Sequence, residues 1–289
     1  MVMLWSYPLP LGCTSIPRCT VPAMGSYQSM WGVRTLKEEV SISWRGHQGW
    51  SMRVLILASG GKDSSLASWW AMCRGWEVVA LVTVSVSGED SWMFQLQGTE
   101  MAQLQAEAQG VGWMRIDVSG VPEREVDELE EALRPIISRE QVVSPAVRGV
   151  SSSRPIDAIV CGALASEYQR RRIERMAERL GVISYCPLWH HDPGAHMRDL
   201  IECGFEMILV SVSCEGLTVE WLGRVLDEYY LRKLESLSLE YRFSVDGEGG
   251  EYETIIIAGP HMSKRIEIVG RPVWHGARGE FQIDSAKLI

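Results

Sequence analysis

The chain has 289 residues, 46% of them hydrophobic and 22% charged, the balance of a globular protein with one large domain or two ordinary ones. A net charge of −9 sets up no global field that would recruit nucleic acid, and no stretch approaches the roughly 18 apolar residues of a membrane span. The seven cysteines (Cys13, Cys19, Cys73, Cys161, Cys186, Cys203 and Cys214) form no C-x-x-C pair and no zinc spacing; their scatter and odd number point to free thiols in a reducing compartment.

Residues 1–51 carry Pro8, Pro10, Pro17 and Pro22 among scattered Trp and Gly, with no sustained period and no basic region before an apolar core. Met52 stands directly before the first strand, so 1–51 is expected to be an extraneous or disordered leader. From 53 to about 185 the chain alternates. Strand 53–58 leads to helix 63–74, with Leu66, Ala67, Trp70 and Cys73 on one face. Strand 77–84, loop 85–98, helix 99–109 and strand 113–118 follow. Helix 122–134 opens on Pro122 and is expected to end or kink at Pro135. Residues 138–155 read as a flexible connection, and strand 156–161 gives way to helix 166–180. Such alternation predicts a parallel sheet covered on both faces, an α/β domain over 52–187. After Pro187 the pattern changes: helix 195–203, strand 206–212, helix 219–234, then short β runs at 254–257, 265–269 and 280–283. This predicts a second, smaller α+β domain over 188–289. Cys73, Cys161 and Cys203 fit as small buried hydrophobes.

The first strand empties into Ser59-Gly60-Gly61-Lys62-Asp63-Ser64, at the start of a helix. Amides of a first helical turn lack partners within the helix, and the helix dipole adds positive potential there. Gly60 and Gly61 allow close backbone approach to a phosphate, Lys62 adds a full charge, and Ser59 and Ser64 add hydroxyls. Asp63 is suited to capping the helix or to holding a metal ion. The spacing differs from the P-loop, because the lysine follows a glycine pair directly. Ligands of parallel sheets sit beyond the strand C-termini, where Gly162 also falls.

Two further stretches are open to two readings each. Asp246-Gly247-Glu248-Gly249-Gly250-Glu251-Tyr252-Glu253-Thr254 is either an acidic surface hairpin or a carboxylate site for an amine, a base or magnesium-bound ATP. Ser166-Glu167-Tyr168-Gln169-Arg170-Arg171-Arg172 opens a helix on which Arg171, Arg175 and Arg179 line one face. That face is either solvated, with Glu167 pairing Arg171, or places Glu167, Tyr168, Gln169 and Arg172 at a cleft.

Ser-Gly-Gly-Lys-Asp-Ser after a strand resembles the pyrophosphate loop of the N-type ATP pyrophosphatases. Gly-Glu-Gly-Gly-Glu-Tyr-Glu-Thr at 247–254 is similar to the signature of the diphthine–ammonia ligases within that group. Ser166 to Arg170, Pro187-Leu188-Trp189 and Glu215-Gly216-Leu217 also resemble that family, and Ser91 to Phe94 with Gln105 to Ala108 match loosely. The likeness spans about 53–270 in order. It departs at Gln95, Gly98 and Ala163, and 1–51 has no counterpart.

The resemblance implies a parallel-sheet adenine-nucleotide α-hydrolase-like (HUP) domain, with ATP and Mg²⁺ used to turn diphthine on elongation factor two into diphthamide. The carboxylate would be adenylated, ammonia would attack, and AMP and pyrophosphate would leave. It implies ATP contacts at Ser59, Gly60, Gly61, Lys62, Asp63, Ser64 and Gly162, with Asp63 the metal candidate. Lys62, Glu251 and Glu253 are the implied catalytic residues. Glu167, Tyr168, Gln169, Arg172, Glu248, Gly249, Gly250 and Tyr252 are the implied substrate contacts. A cytoplasmic enzyme that binds neither DNA nor membrane is implied; a homodimer stays open. So do another ATP pyrophosphatase activity, on a small molecule or tRNA, and a non-catalytic ATP-binding regulator.

Overall fold

The computed structural model describes residues 51–86, 92–121, 124–138, 147–148 and 154–289. The expectation for 1–51 falls, apart from Ser51, outside the described residues. The first half alternates as β1 (Arg53–Leu57), α1 (Lys62–Cys73), β2 (Glu77–Val86), α2 (Trp92–Gln109), β3 (Gly112–Val118), α3 (Arg124–Ile137), β4 (Val147–Arg148), β5 (Ala158–Cys161), α4 (Glu167–Leu180) and β6 (Ile183–Tyr185). The second half holds α5 (Pro193–Glu202), β7 (Glu206–Val212), a 3-10 turn (Val219–Trp221), α6 (Glu228–Tyr241), β8 (Tyr252–Ala258), β9 (Ile266–His275) and β10 (Arg278–Leu288).

The first sheet has the order β4-β3-β2-β1-β5-β6. Its β1, β2, β3, β5 and β6 run parallel, and β4 joins β3 antiparallel. The chain lays strands outward from β1 to β3 and then returns to place β5 on the other side of β1. The order therefore reverses between β1 and β5, and a crevice opens beyond their C-terminal ends. The second sheet is antiparallel, in the order β8-β7-β10-β9.

One core joins the two sheets. Leu66 and Ala67 of α1 lie in it with Met197 and Leu200 of α5, Leu209 of β7 and Ile256 of β8. Each fully buried aliphatic side chain contributes about 1.5–3 kcal/mol relative to exposure. Leu55, Val82, Met114, Leu133 and Met176 form a second core on the opposite face of the parallel sheet. Ile208, Val210, Ile255 and Ile257 fill the far side of the antiparallel one. Among the described residues no helix is long and apolar enough to cross a membrane.

Several elements differ from the sequence expectations. α2 begins at Trp92, inside the expected 85–98 loop, because one helical glycine costs only about 1 kcal/mol and an 18-residue helix absorbs Gly98. α3 continues through Pro135 to Ile137, anchored by Leu129 and Leu133, buried in the two turns before its end. Residues 147–148, within the expected connection, pair with β3. The expected 219–234 helix is broken: Gly223 takes φ +72°, and Asp227 accepts a hydrogen bond from the Tyr230 amide at 2.9 Å to start α6 afresh. The last β runs merge into one long hairpin, with Pro272 tolerated because β9 is an edge strand. Cys161 and Cys203 are buried as expected. Cys73 is exposed in the last turn of α1, where Met72 and Trp76 pack on the core instead.

Candidate active site

β1 ends at Leu57, and the Ala58 amide still donates to the Val82 carbonyl, carrying the pairing to the edge of the loop. Gly60 then takes φ +86°, a left-handed turn that suits a residue without Cβ. Gly61 caps α1, and the Ser64 hydroxyl donates back to its carbonyl at 3.2 Å. On the neighbouring strand, Gly162 follows Cys161 and faces the first turn of α1. A Cβ built on Gly162 would lie 2.6 Å from the Asp63 carbonyl carbon and 2.8 Å from the Ser64 amide nitrogen. Gly162→Ala must push these two backbones apart. It is expected to destabilise the protein by roughly 1–3 kcal/mol, read as a lower thermal midpoint by differential scanning fluorimetry.

The second sheet holds the loop from the other side. The Ile256 amide donates to the Gly60 carbonyl at 3.1 Å, and the Lys62 amide donates to Thr254 Oγ1 at 3.2 Å. Gln105 Nε2 donates to the carbonyls of both Gly60 and Ile256 at 2.8 Å. The loop is thus set by β8 as much as by β1.

Lys62 is buried, and its Nζ donates to Asp63 Oδ2 at 2.9 Å. The other oxygen, Asp63 Oδ1, lies 2.8 Å from Nε2 of His196, a side chain of α5 with no exposed surface. Burial pushes the Asp63 carboxyl up, but the Lys62 charge and the His196 hydrogen bond outweigh it, leaving the group below the ordinary aspartate value. His196 Nδ1 is buried with no hydrogen-bond partner among the described residues. A proton there would be unsatisfied, so Nε2 is the ring nitrogen that carries a proton and donates it to Asp63.

Beyond this loop lies a cleft of about 550 Å³. Its lining includes Ser59, Asp63, Ser64, Cys161, Gly162, Tyr168, Gln169, Arg172 and Glu248. Of the glycine loop, Ser59, Asp63 and Ser64 line this cleft and Gly60, Gly61 and Lys62 do not; the acidic turn shares it through one glutamate. Glu248 Oε1 accepts from the Ala165 amide at 3.2 Å. Burial first, then the charges of Asp63 and Asp246, lift its carboxyl above the ordinary glutamate value, against the Ala165 amide and Lys62. Arg172 reaches Glu125 at 3.2 Å and lies 4.0 Å from the ring centroid of Tyr168, which is exposed at the cleft.

Other expected site residues stand elsewhere. Glu251 bends back on its own turn, accepting from the Ser244 amide at 2.9 Å, and Glu253 is exposed on β8 opposite Ser211. Neither lines the cleft, because Tyr252 between them turns inward, its hydroxyl donating to the Val245 carbonyl. Tyr252 is accordingly a core residue. Gly249 and Gly250 shape the turn and do not line the cleft: Gly250 takes φ +82°, and a Cβ on Gly249 would meet the Glu251 carboxylate at 2.5 Å. Glu167 pairs with Arg170 and Arg171, the solvated-face reading of that helix. His196, Glu125 and the loop contact of Thr254 were absent from the sequence reading. Thr254 ends the acidic stretch, so a signal for it existed; nothing in the chain ties His196 to an aspartate 133 positions away.

The model of the diphthamide synthase N-terminal domain matches residues 52–184, and that of the diphthamide synthase C-terminal domain matches residues 192–289. A Schizosaccharomyces pombe protein named diphthine–ammonia ligase is 33% identical over 242 residues, 79% of this chain; the chain spans 38% of that protein's length. The Danio rerio protein of that name is 33% identical over 75% of this chain and 86% of its own length. The Homo sapiens one is 30% identical over 74% and 82%. A solved structure, described as a predicted subunit of tRNA methyltransferase from Methanocaldococcus jannaschii, covers 72% of this chain and 97% of its own at 14% identity, with a TM-score of 0.37. With both domain models matched in order and two relatives at 30–33% identity matched over more than four fifths of their own length, the chain belongs to the diphthamide synthase family.

Proposed function

We propose that this chain is an ATP-dependent ligase that amidates diphthine on elongation factor two with ammonia, releasing AMP and pyrophosphate. The observation that carries the reading is the shared cleft: Ser59, Asp63 and Ser64 of the glycine loop on one side, Glu248 of the acidic turn on the other. On this reading 52–187 holds the nucleotide and 188–289 supplies Glu248, Thr254 and His196. A cytoplasmic location follows from a substrate that works in translation.

A carboxylate is a poor acceptor for an amine, because attack adds charge to an already anionic centre. Its oxygen therefore attacks the α-phosphorus of ATP, the bond to the β-phosphate breaks, and a mixed anhydride forms. Ammonia then attacks the acyl carbon, AMP departs, and a proton leaves the nitrogen. Ser59, Gly60, Gly61 and Ser64 cradle the departing pyrophosphate, and Gly162 leaves the backbone room to approach it. Lys62 Nζ neutralises the charge that grows there. Glu248, with its carboxyl raised and open to the cleft, takes the proton. Tyr168, Gln169 and Arg172 orient the substrate. Holding carboxylate and phosphorus in line contributes at most about 7–11 kcal/mol.

Asp63, which borders the cleft, would offer a carboxylate oxygen to Mg²⁺ arriving with ATP. When bound, Mg²⁺ would screen the phosphate charge. His196 is a positioning residue that acts through Asp63. His196→Leu is expected to lower kcat for AMP formation about tenfold with little change in KM for ATP, the scale of one hydrogen bond to a charged group. His196→Gln, which keeps an N–H donor, is expected to recover most of the loss. A folded leucine variant with wild-type kcat contradicts the role.

Elongation factor two from a strain lacking this chain, measured by mass spectrometry, is expected to carry accumulated diphthine. Intact diphthamide in that strain overturns the assignment.

A further inference from the structure

β5 and β6 each deliver a cysteine to the same level of the parallel sheet. The register pairs Val160 with Tyr185, so Cys161 and Cys186 are the next residues along each chain. Their sulfurs lie 3.2 Å apart. Cys161 is buried against the protein but lines the cleft; Cys186 is half-buried beside it. The contact divides the two thiols: the hydrogen bond from Cys186 draws the Cys161 thiol down, and the same bond pushes Cys186 up. Cys161, the one of the two that lines the cleft, is therefore the thiol that meets a reagent entering it.

We propose that Cys161 and Cys186 are a dithiol modification site that a low-molecular-weight disulfide closes reversibly, and that closure shuts down turnover in the adjoining cleft. The Cys161 thiolate attacks one sulfur of the oxidant, whose other half leaves as a thiolate. The Cys186 thiol, losing its proton, then attacks the Cys161 sulfur of the mixed disulfide and expels the second half. The protein loses two hydrogens, and one disulfide molecule becomes two thiols.

The consequence for the cleft follows from packing. Bonded sulfurs stand about 2.0 Å apart, so closure draws the end of β5 toward β6. Gly162, the next residue, abuts the Asp63 backbone so closely that a Cβ would not fit. A shift at Cys161 therefore reaches Asp63 and, through it, Lys62 and His196. This second half rests on the proposed function; the bond itself does not.

The test incubates the full chain with glutathione disulfide, alkylates it, maps the peptides and measures AMP formation and binding of a fluorescent ATP analogue. A linked Cys161–Cys186 peptide pair is expected, with AMP formation down at least about tenfold, within the loss an ångström-scale misplacement brings, and restored by dithiothreitol. Cys186→Ser, or Cys186→Ala should the serine variant fold poorly, is expected to stop at a single glutathione adduct on Cys161, which dithiothreitol removes. Separate glutathione adducts with no linked peptide overturn the proposal, as does a linked peptide with unchanged AMP formation. If the reduced chain makes no AMP, the functional reading has failed; the linked peptide and weakened analogue binding then still decide the proposal.

Discussion

A Lys62→Ala chain is expected to fold and to lose AMP formation by roughly a hundred- to a thousandfold, the effect of removing one preorganised charge from a developing oxyanion. Fold retention is expected because Lys62 contributes its amide, which alanine keeps, to the Thr254 contact. The variant also removes a partner from Asp63, which keeps His196 and borders the cleft, so the uncompensated charge is not sealed in the interior. Lys62→Met, which preserves the stem volume, separates the loss of charge from the loss of packing. The measurement is single-turnover conversion of labelled ATP, beside a circular dichroism melt. Near-normal AMP formation in a folded variant would falsify the loop assignment.

Glu248→Gln is expected to spare adenylation and to slow amide formation about a hundredfold or more, the usual contribution of a positioned base. Glutamine keeps an oxygen for the Ala165 amide, so the turn is undisturbed. The pH dependence carries the sign. In the wild type the carboxyl is raised, so it gains its proton as pH falls toward and below that raised value, and amidation falls with it. At a constant concentration of unprotonated ammonia, the glutamine variant loses that acidic limb and shows a flat, low rate. Amide formation at the wild-type rate with an unchanged pH profile would assign the proton to another acceptor.

The glycine loop was legible because its chemistry is local. A strand, two glycines, a lysine and a helix start within 10 residues, and each choice supports the next. The acidic stretch was legible as a site but not in which glutamate serves it. Alternation along β8 puts Tyr252 and Thr254 on the face toward the loop and Glu253 on the other, while Glu251, one residue before the strand, turns back to Ser244. The run Ile255-Ile256-Ile257 is buried on both faces, and that hides the alternation from a reader of the sequence. Glu248 reaches the cleft only because Gly247 at φ +72° and Gly250 at φ +82° reverse the chain. His196, Gln105 and Thr254 meet the loop across gaps of 133, 45 and 192 residues, and no period or spacing encodes such meetings. In the arginine stripe of α4, Arg171 pairs with Glu167, and Glu130 and Asp127 of α3 receive Arg179. The charges that stand in a functional cleft and those that merely knit two helices have the same composition; only packing tells them apart.

The measurement that bears most directly on these proposals uses the purified chain, ATP, ammonium and elongation factor two carrying diphthine. AMP and the amide are counted together as the reaction proceeds. One AMP is expected for each diphthamide formed, with both dependent on the protein substrate. Release of ADP in place of AMP, or AMP formed with diphthine left unchanged, would contradict a cleft in which the glycine loop activates the carboxylate that Glu248 helps to amidate.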